Sequence, residues 1–179
     1  LTYGIPGFKL EKDVVMRRVD QLEKSGVEFV LNCNVGTDIS FEAIRGKHDA
    51  VIVAIGVYKA RDLAGEAAGI VKALDYLTVS NRQSFGDDVP EFDDGSLNAK
   101  GKRVIVIGGG DTAMDCVRTA IRQGATSVKC LYRRDRANMP GSQRETQNAE
   151  EEGVVFEWLS APAGFVGNPV SAVKVQKMR

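Results

Sequence analysis

The stretch Lys102-Arg103-Val104-Ile105-Val106-Ile107-Gly108-Gly109-Gly110-Asp111-Thr112-Ala113, followed by Leu131-Tyr132-Arg133-Arg134, decides the fold. An apolar β-branched run breaks into glycines and then opens a helix, which is the phosphate-cradling turn of a dinucleotide-binding βαβ unit. Val104 to Ile107 predicts a central parallel strand buried on both faces. Gly108, Gly110 and Ala113 fill the G-x-G-x-x-A positions. Gly108 permits the tight turn, Gly110 admits a pyrophosphate close to the backbone, and Ala113 lets the helix pack against the strand. The helix is expected from Asp111 to about Gln123, with Ala113, Met114, Val117, Ala120 and Ile121 as its apolar stripe and Gly124 as its stop. Its first turn offers free N–H groups and the positive end of the helix dipole to an anion.

A second strand, Ser127 to Tyr132, completes the unit. At its end a protein selecting NAD would place an acid against the ribose 2′-hydroxyl. Arg133 and Arg134 stand there instead, with Arg136 nearby. Guanidinium groups bind a 2′-phosphate through paired hydrogen bonds, and a carboxylate would repel it. The pattern therefore points to NADPH. The competing reading is a solvated basic turn balanced by Asp135.

Composition narrows the class. Hydrophobic residues make up 43% of the 179, charged residues 27%, and the net charge is zero, so no nucleic-acid or anionic-membrane partner is implied. No apolar run approaches the roughly 20 residues that span a bilayer. The three cysteines, Cys33, Cys116 and Cys130, lie far apart in apolar segments and read as small buried residues of a reducing, cytoplasmic compartment. No C-x-x-C is present, so neither a dithiol redox centre nor a metal site is assigned within the chain. His48, the single histidine, reads as a surface or turn residue.

Upstream, Glu11 to Ser25 is expected as an amphipathic helix, Val27 to Leu31 as a strand, and Ile39 to Arg45 as a short helix capped by Ser40. Asp49 to Ile55 is expected as a buried strand ending in Ala54-Ile55-Gly56, and Tyr58 to Ala68 as a crossing between domains. Lys72 to Asn81 reads as a helix, Ser84 to Lys100 as an exposed acidic loop, Met139-Pro140-Gly141 as a turn, and Glu150 to Glu152 as a solvated helix end. Val154 to Leu159, with Trp158 core or partly buried, and Ala172 to Lys177 are further strands. Because a doubly wound nucleotide domain normally carries more strands, the sequence reads as the middle of a larger protein.

Thr2-Tyr3-Gly4-Ile5-Pro6, the Gly108 to Asp115 run, Tyr132-Arg133-Arg134 and Met139-Pro140-Gly141-Ser142-Gln143-Arg144-Glu145, taken in this order, resemble the small (beta) subunit of NADPH-dependent glutamate synthase over nearly the whole chain. That resemblance implies an α/β fold: a Rossmann-like NADPH-binding domain, residues 61–179, plus part of an FAD-binding domain, residues 1–60, of the two-dinucleotide-binding flavoprotein fold. It implies hydride transfer from NADPH to FAD, then electron flow through iron–sulfur clusters, whose ligands are not in this chain, to the large (alpha) subunit. There 2-oxoglutarate and glutamine yield glutamate. Related modules, such as that of dihydropyrimidine dehydrogenase, share the architecture, and a nucleotide-sensing module without catalysis is a further alternative. Gly108, Gly109 and Gly110 would cradle the pyrophosphate, with Asp111, Thr112 and Ala113 at the helix start. Arg133 and Arg134 would grip the 2′-phosphate, helped by Arg136 and Arg144. Gly56 would match the flavin-side turn of the family, where Ile55 departs from the usual Thr. No catalytic acid, base or nucleophile is nominated, because hydride chemistry belongs to the cofactors.

Overall fold

The computed structural model describes residues 1–56 and 67–179. The expected interdomain crossing at 58–68 falls almost entirely outside the described residues. The elements are α1 (Lys12–Lys24), α2 (Phe41–Lys47), α3 (Ala73–Ser84), α4 (Pro90–Asp93), β1 (Arg103–Ile107), α5 (Asp111–Arg122), β2 (Ser127–Leu131), α6 (Gln143–Glu151), β3 (Val155–Glu157), β4 (Ser160–Val166) and β5 (Ala172–Lys177). The chain divides into two units, one made of Leu1–Lys12 with Asp62–Arg179 and the other of Asp13–Arg61.

In the larger unit, β1, β2 and β3 form a parallel sheet in that order, with Arg103 opposite Ser127 and Lys129 opposite Val155. Helix α5 crosses from β1 to β2. Alternation along the strands turns Val104, Val106, Val128, Cys130 and Phe156 toward a core shared with Met114, Val117 and Ala120 of α5, Leu77 of α3 and Ala149 of α6. The expected stripe on α5 is thus the face that is buried. Gly124, at φ +86°, ends the helix as anticipated.

The central, doubly buried strand expected at Val104 to Ile107 is instead an edge strand, and Ile105 is 41% exposed. Its β-branched run correctly signals a strand, but burial on the second face requires a layer that the described residues of this unit supply only in part, through β4 and β5. On that face Ile105, Lys129, Leu131, Glu157 and Val175 line a hollow of about 260 Å³. Strand β4 was not anticipated, since Pro162 and Gly164 interrupt it. It pairs with β5 through a register shift between those two residues, where a strand tolerates both. The expected loop at Ser84 to Lys100 contains α4 and is pinned by Val89 and Ala99, which are buried.

Leu1–Lys12 associates with the larger unit. Asn81 Nδ2 donates to the Tyr3 carbonyl at 2.6 Å, and the Tyr3 and Phe85 rings meet edge to face. The Arg118 and Arg122 guanidiniums lie 4.7 and 4.3 Å from the centre of the Phe8 ring.

In the smaller unit the helices form as expected, with the Ser40 hydroxyl accepting from the Ala43 N–H at 3.1 Å. The two expected strands do not. Val27 to Leu31 and Asp49 to Ile55 carry no strand, and Ile52 is 91% exposed. Apolar content and β-branching mark these runs as strand-forming, yet a strand exists only where a second segment answers its N–H and C=O groups. No described segment of this unit does so. The bridge between Val35 and Ile39 is the one isolated pairing described. Cys33 is exposed, contrary to its expected burial. Cys116 and Cys130 are buried, and burial pushes each thiol up to about 12. No described helix is long and apolar enough to cross a membrane.

Candidate functional site

The glycine turn sits where β1 hands over to α5. Gly108 has φ +145°, which excludes most side chains, and its N–H donates to the Leu131 carbonyl at 3.0 Å, tying the turn to β2. A Cβ on Gly108 would also lie 3.6 Å from that of Ala113, in line with the close helix–strand approach expected there. Gly110 is the N-cap of α5, with φ −93°, ψ 174° and no side-chain cap. Nothing lies within 4 Å of the position its Cβ would take. At the positive end of the dipole the Asp111 and Thr112 N–H groups have no described acceptor, while the Ala113 N–H donates to the Gly110 carbonyl at 2.9 Å.

Asp111 would be awkward beside an anion if its carboxylate pointed the same way. Its Oδ1 accepts from the Ser142 N–H at 3.0 Å, so the side chain ties the helix start to residues 139–142. Residues 139–142 close over the glycines. The Gly141 N–H donates to the Gly109 carbonyl at 2.9 Å. A Cβ on Gly141 would meet that same oxygen at 3.0 Å. Met139 is buried beneath, with Thr146 Oγ1 3.7 Å from its sulfur. The sequence marks this segment only as a turn. Its hold on the glycine loop depends on a contact 32 residues along the chain, between Gly109 and Gly141, which no local pattern reveals.

Arg133 and Arg134 emerge just after β2, exposed and with no ion pair among the described residues. Asp135, the acid that could have neutralised them, is committed elsewhere. It accepts from the Asn138 N–H at 2.9 Å and from Asn138 Nδ2 at 2.8 Å, which holds its carboxyl below the usual range. Arg144, in the first turn of α6, is likewise exposed without a described ion pair. Arg136 differs, being paired with the Glu150 carboxylate at 2.9 Å. Thr112 is exposed at the helix start and Ala113 is buried. Gly56, with φ +68°, belongs to the smaller unit. His48 is exposed, with Nδ1 2.8 Å from the Ile44 carbonyl at the end of α2.

Behind the turn, charges fix the helices. Arg118 of α5 bonds Glu145 and Glu152 at 2.7 Å each, and Arg122 bonds Glu152 at 2.7 Å. Burial alone would raise the Glu152 carboxyl, but its bonds to Arg118 and Arg122 outweigh this and hold it below the usual range. Of the expected solvated helix end, Glu151 is exposed as read, whereas Glu152 is an anchor. Asp115 shows the opposite balance. Burial raises its carboxyl, and the 3.0 Å bond from Lys9 Nζ only partly offsets this.

Comparison with known proteins gives the family of the chain. The model of the pyridine nucleotide-disulphide oxidoreductase family matches residues 42–179. A putative glutamate synthase NADPH small chain of Cereibacter sphaeroides is 75% identical over the whole chain, which spans 44% of that relative. A glutamate synthase NADPH small chain of Azospirillum brasilense is 65% identical over 95% of the chain and 36% of its own length. A putative oxidoreductase of Escherichia coli, AegA, is 47% identical over 92% of the chain and 25% of its own length. The chain thus spans less than half the length of these relatives. Among solved structures, Mycobacterium tuberculosis FprA in complex with NADPH superimposes with a TM-score of 0.77 at 16% identity, covering 98% of this chain and 53% of that one. That likeness establishes a shared fold.

Proposed function

The chain belongs to the pyridine nucleotide-disulphide oxidoreductase family, and from that premise we propose that its larger unit is the NADPH-binding part of a flavoprotein oxidoreductase. The carrying observation is a juxtaposition in sequence and fold. An uncapped helix N-terminus with open space at Gly110 adjoins, through the β1–β2 pairing, two exposed arginines that no acid of the described chain engages. A dinucleotide with a 2′-phosphate has an anionic group for each.

The open Cβ position at Gly110 fits a pyrophosphate approaching the backbone, and the first-turn amides of α5 would hold it. Arg133 and Arg134 would hold the 2′-phosphate, with Arg144 as a helper. Arg136 is a weaker candidate, since that contact competes with Glu150. NADPH, when bound, supplies the hydride. The protein residues bind and orient, and no side chain is required to move a proton.

In the whole protein we assign the hydride to FAD, with the backbone of Gly56 as the contribution of residues 1–60 to the flavin side, and a cytoplasmic setting. The similarity to glutamate synthase small chains supports onward flow through iron–sulfur clusters to a large subunit that makes glutamate from glutamine and 2-oxoglutarate. Cys33, Cys116 and Cys130 are not assigned to those clusters. The similarity to AegA supports a second reading, the same input module serving another acceptor.

Titration calorimetry with NADP⁺ and NAD⁺ at one salt concentration tests the site. NADP⁺ is expected to bind at least about tenfold tighter, because a charge-assisted hydrogen bond contributes about 1.5–3 kcal/mol. The double substitution Arg133→Ala with Arg134→Ala should weaken NADP⁺ by about 100-fold and leave NAD⁺ unchanged. Equal affinity for both nucleotides would defeat the assignment.

A further inference from the structure

We propose that Tyr132 is the positioning residue of the glycine turn, an inference that rests on the dinucleotide reading above. The fingerprint leaves its second position free, yet this chain has glycine at 109 as well. The structure gives the reason. A Cβ on Gly109 would lie 2.5, 2.6 and 2.8 Å from Cδ2, Cε2 and Cγ of Tyr132. The phenol ring is the floor on which the middle glycine lies. The Gly109 carbonyl in turn accepts from the Gly141 N–H at 2.9 Å, so the turn is held by both the ring and residues 139–142.

Tyr132 is itself immobilised. Its N–H donates to the Glu157 carbonyl at 3.1 Å, and its carbonyl accepts from the Ser160 N–H at 2.9 Å. It is buried at the end of β2, with its hydroxyl 3.5 Å from the Asn138 carbonyl, at the limit of a hydrogen bond. The ring face, rather than the hydroxyl, carries the contact with the turn. Its next neighbour in sequence is Arg133. One residue thus sets where the pyrophosphate amides stand relative to the guanidiniums that follow it, and it touches neither phosphate. A site held by packing of this kind keeps its geometry before the ligand arrives.

The test separates the two halves of the ligand. NADP⁺ engages both the turn and the arginines, whereas 2′-AMP carries a 2′-phosphate and no pyrophosphate. Tyr132→Ala should weaken NADP⁺ by about tenfold and leave 2′-AMP unchanged, since a displaced turn loses its aim while the arginines keep theirs. Tyr132→Phe, which keeps the ring face, should restore NADP⁺ binding. Gly141→Ala, which crowds the Gly109 carbonyl, should reproduce the Tyr132→Ala pattern and serves if that variant fails to fold. Hydrogen exchange without ligand should quicken at the amides of 109–112 in Tyr132→Ala while the last turn of α5 keeps its protection. Unchanged NADP⁺ affinity, or a parallel loss of 2′-AMP, would overturn the proposal. If the unaltered chain bound neither ligand, the dinucleotide reading would fall. Exchange at 109–112 would still decide whether the ring holds the turn.

Discussion

Adjacent glycines of the turn should respond to the same substitution in opposite ways. In Gly109→Ala the new methyl would sit 2.5 Å from the nearest ring carbon of Tyr132, where carbon atoms prefer about 3.5–4.0 Å. About 1 Å of movement is therefore needed. The ring is 9% exposed and its backbone is bonded on both sides, so the movement must be taken by packed neighbours. Overpacking of this order costs about 1–3 kcal/mol. In Gly110→Ala the methyl enters open space from an extended backbone, φ −93° and ψ 174°. The loss of a glycine N-cap should then cost less than about 1 kcal/mol. Under the proposed function, however, that open space takes the pyrophosphate, and NADP⁺ affinity should fall by about 100-fold. Urea unfolding read by tryptophan fluorescence gives the first quantity and titration calorimetry the second. If Gly109→Ala stayed within about 0.5 kcal/mol of the unaltered chain, the ring would not be a rigid floor. If Gly110→Ala bound NADP⁺ undiminished, the ligand would not approach the helix end.

Other perturbations follow the same logic. Met114 is fully buried on α5, and Met114→Ala should lower unfolding free energy by about 2–5 kcal/mol in the same urea assay. The Glu152 carboxyl is depressed in the fold, so its contribution to stability is full above its ordinary value of 4.5 and is lost as pH falls through the folded value. Glu152→Gln should therefore flatten the decline in melting temperature between about pH 5 and pH 3. Asp115 is raised in the fold, so its contribution is full below 3.8 and disappears as pH rises through the folded value, and Asp115→Asn should steepen that same decline.

What could be read from the sequence was whatever depends on near neighbours in the chain. The α5 stripe, the stop at Gly124 and the Ser40 cap are set within a few residues, and each is found where it was expected. Pairing is not local. Val27 to Leu31 and Asp49 to Ile55 have strand composition without a partner, and β1 has the composition of a central strand at an edge position. The candidate site divides the same way. The glycines and arginines are contiguous motifs, whereas the roles of Tyr132, Gly141 and Ser142 arise from contacts across the turn. Glu152 looked like one of three solvated acids because its partners, Arg118 and Arg122, are 34 and 30 positions earlier.

Arg133 and Arg134 hold no ion pair of the described protein, while Tyr132 beside them is fixed by its backbone and by the glycine it supports. On the proposed assignment, cofactor preference and structural integrity are written in neighbouring but separate positions. A lineage could exchange the two arginines for an acid and a neutral residue, and so turn from one nicotinamide pool to the other, without passing through a misfolded ancestor. Arg136 differs only in being paired with Glu150, and an exposed pair of this kind contributes no more than about 1 kcal/mol. On that assignment the redox currency of this protein would be an interchangeable part, mounted on a residue that is not.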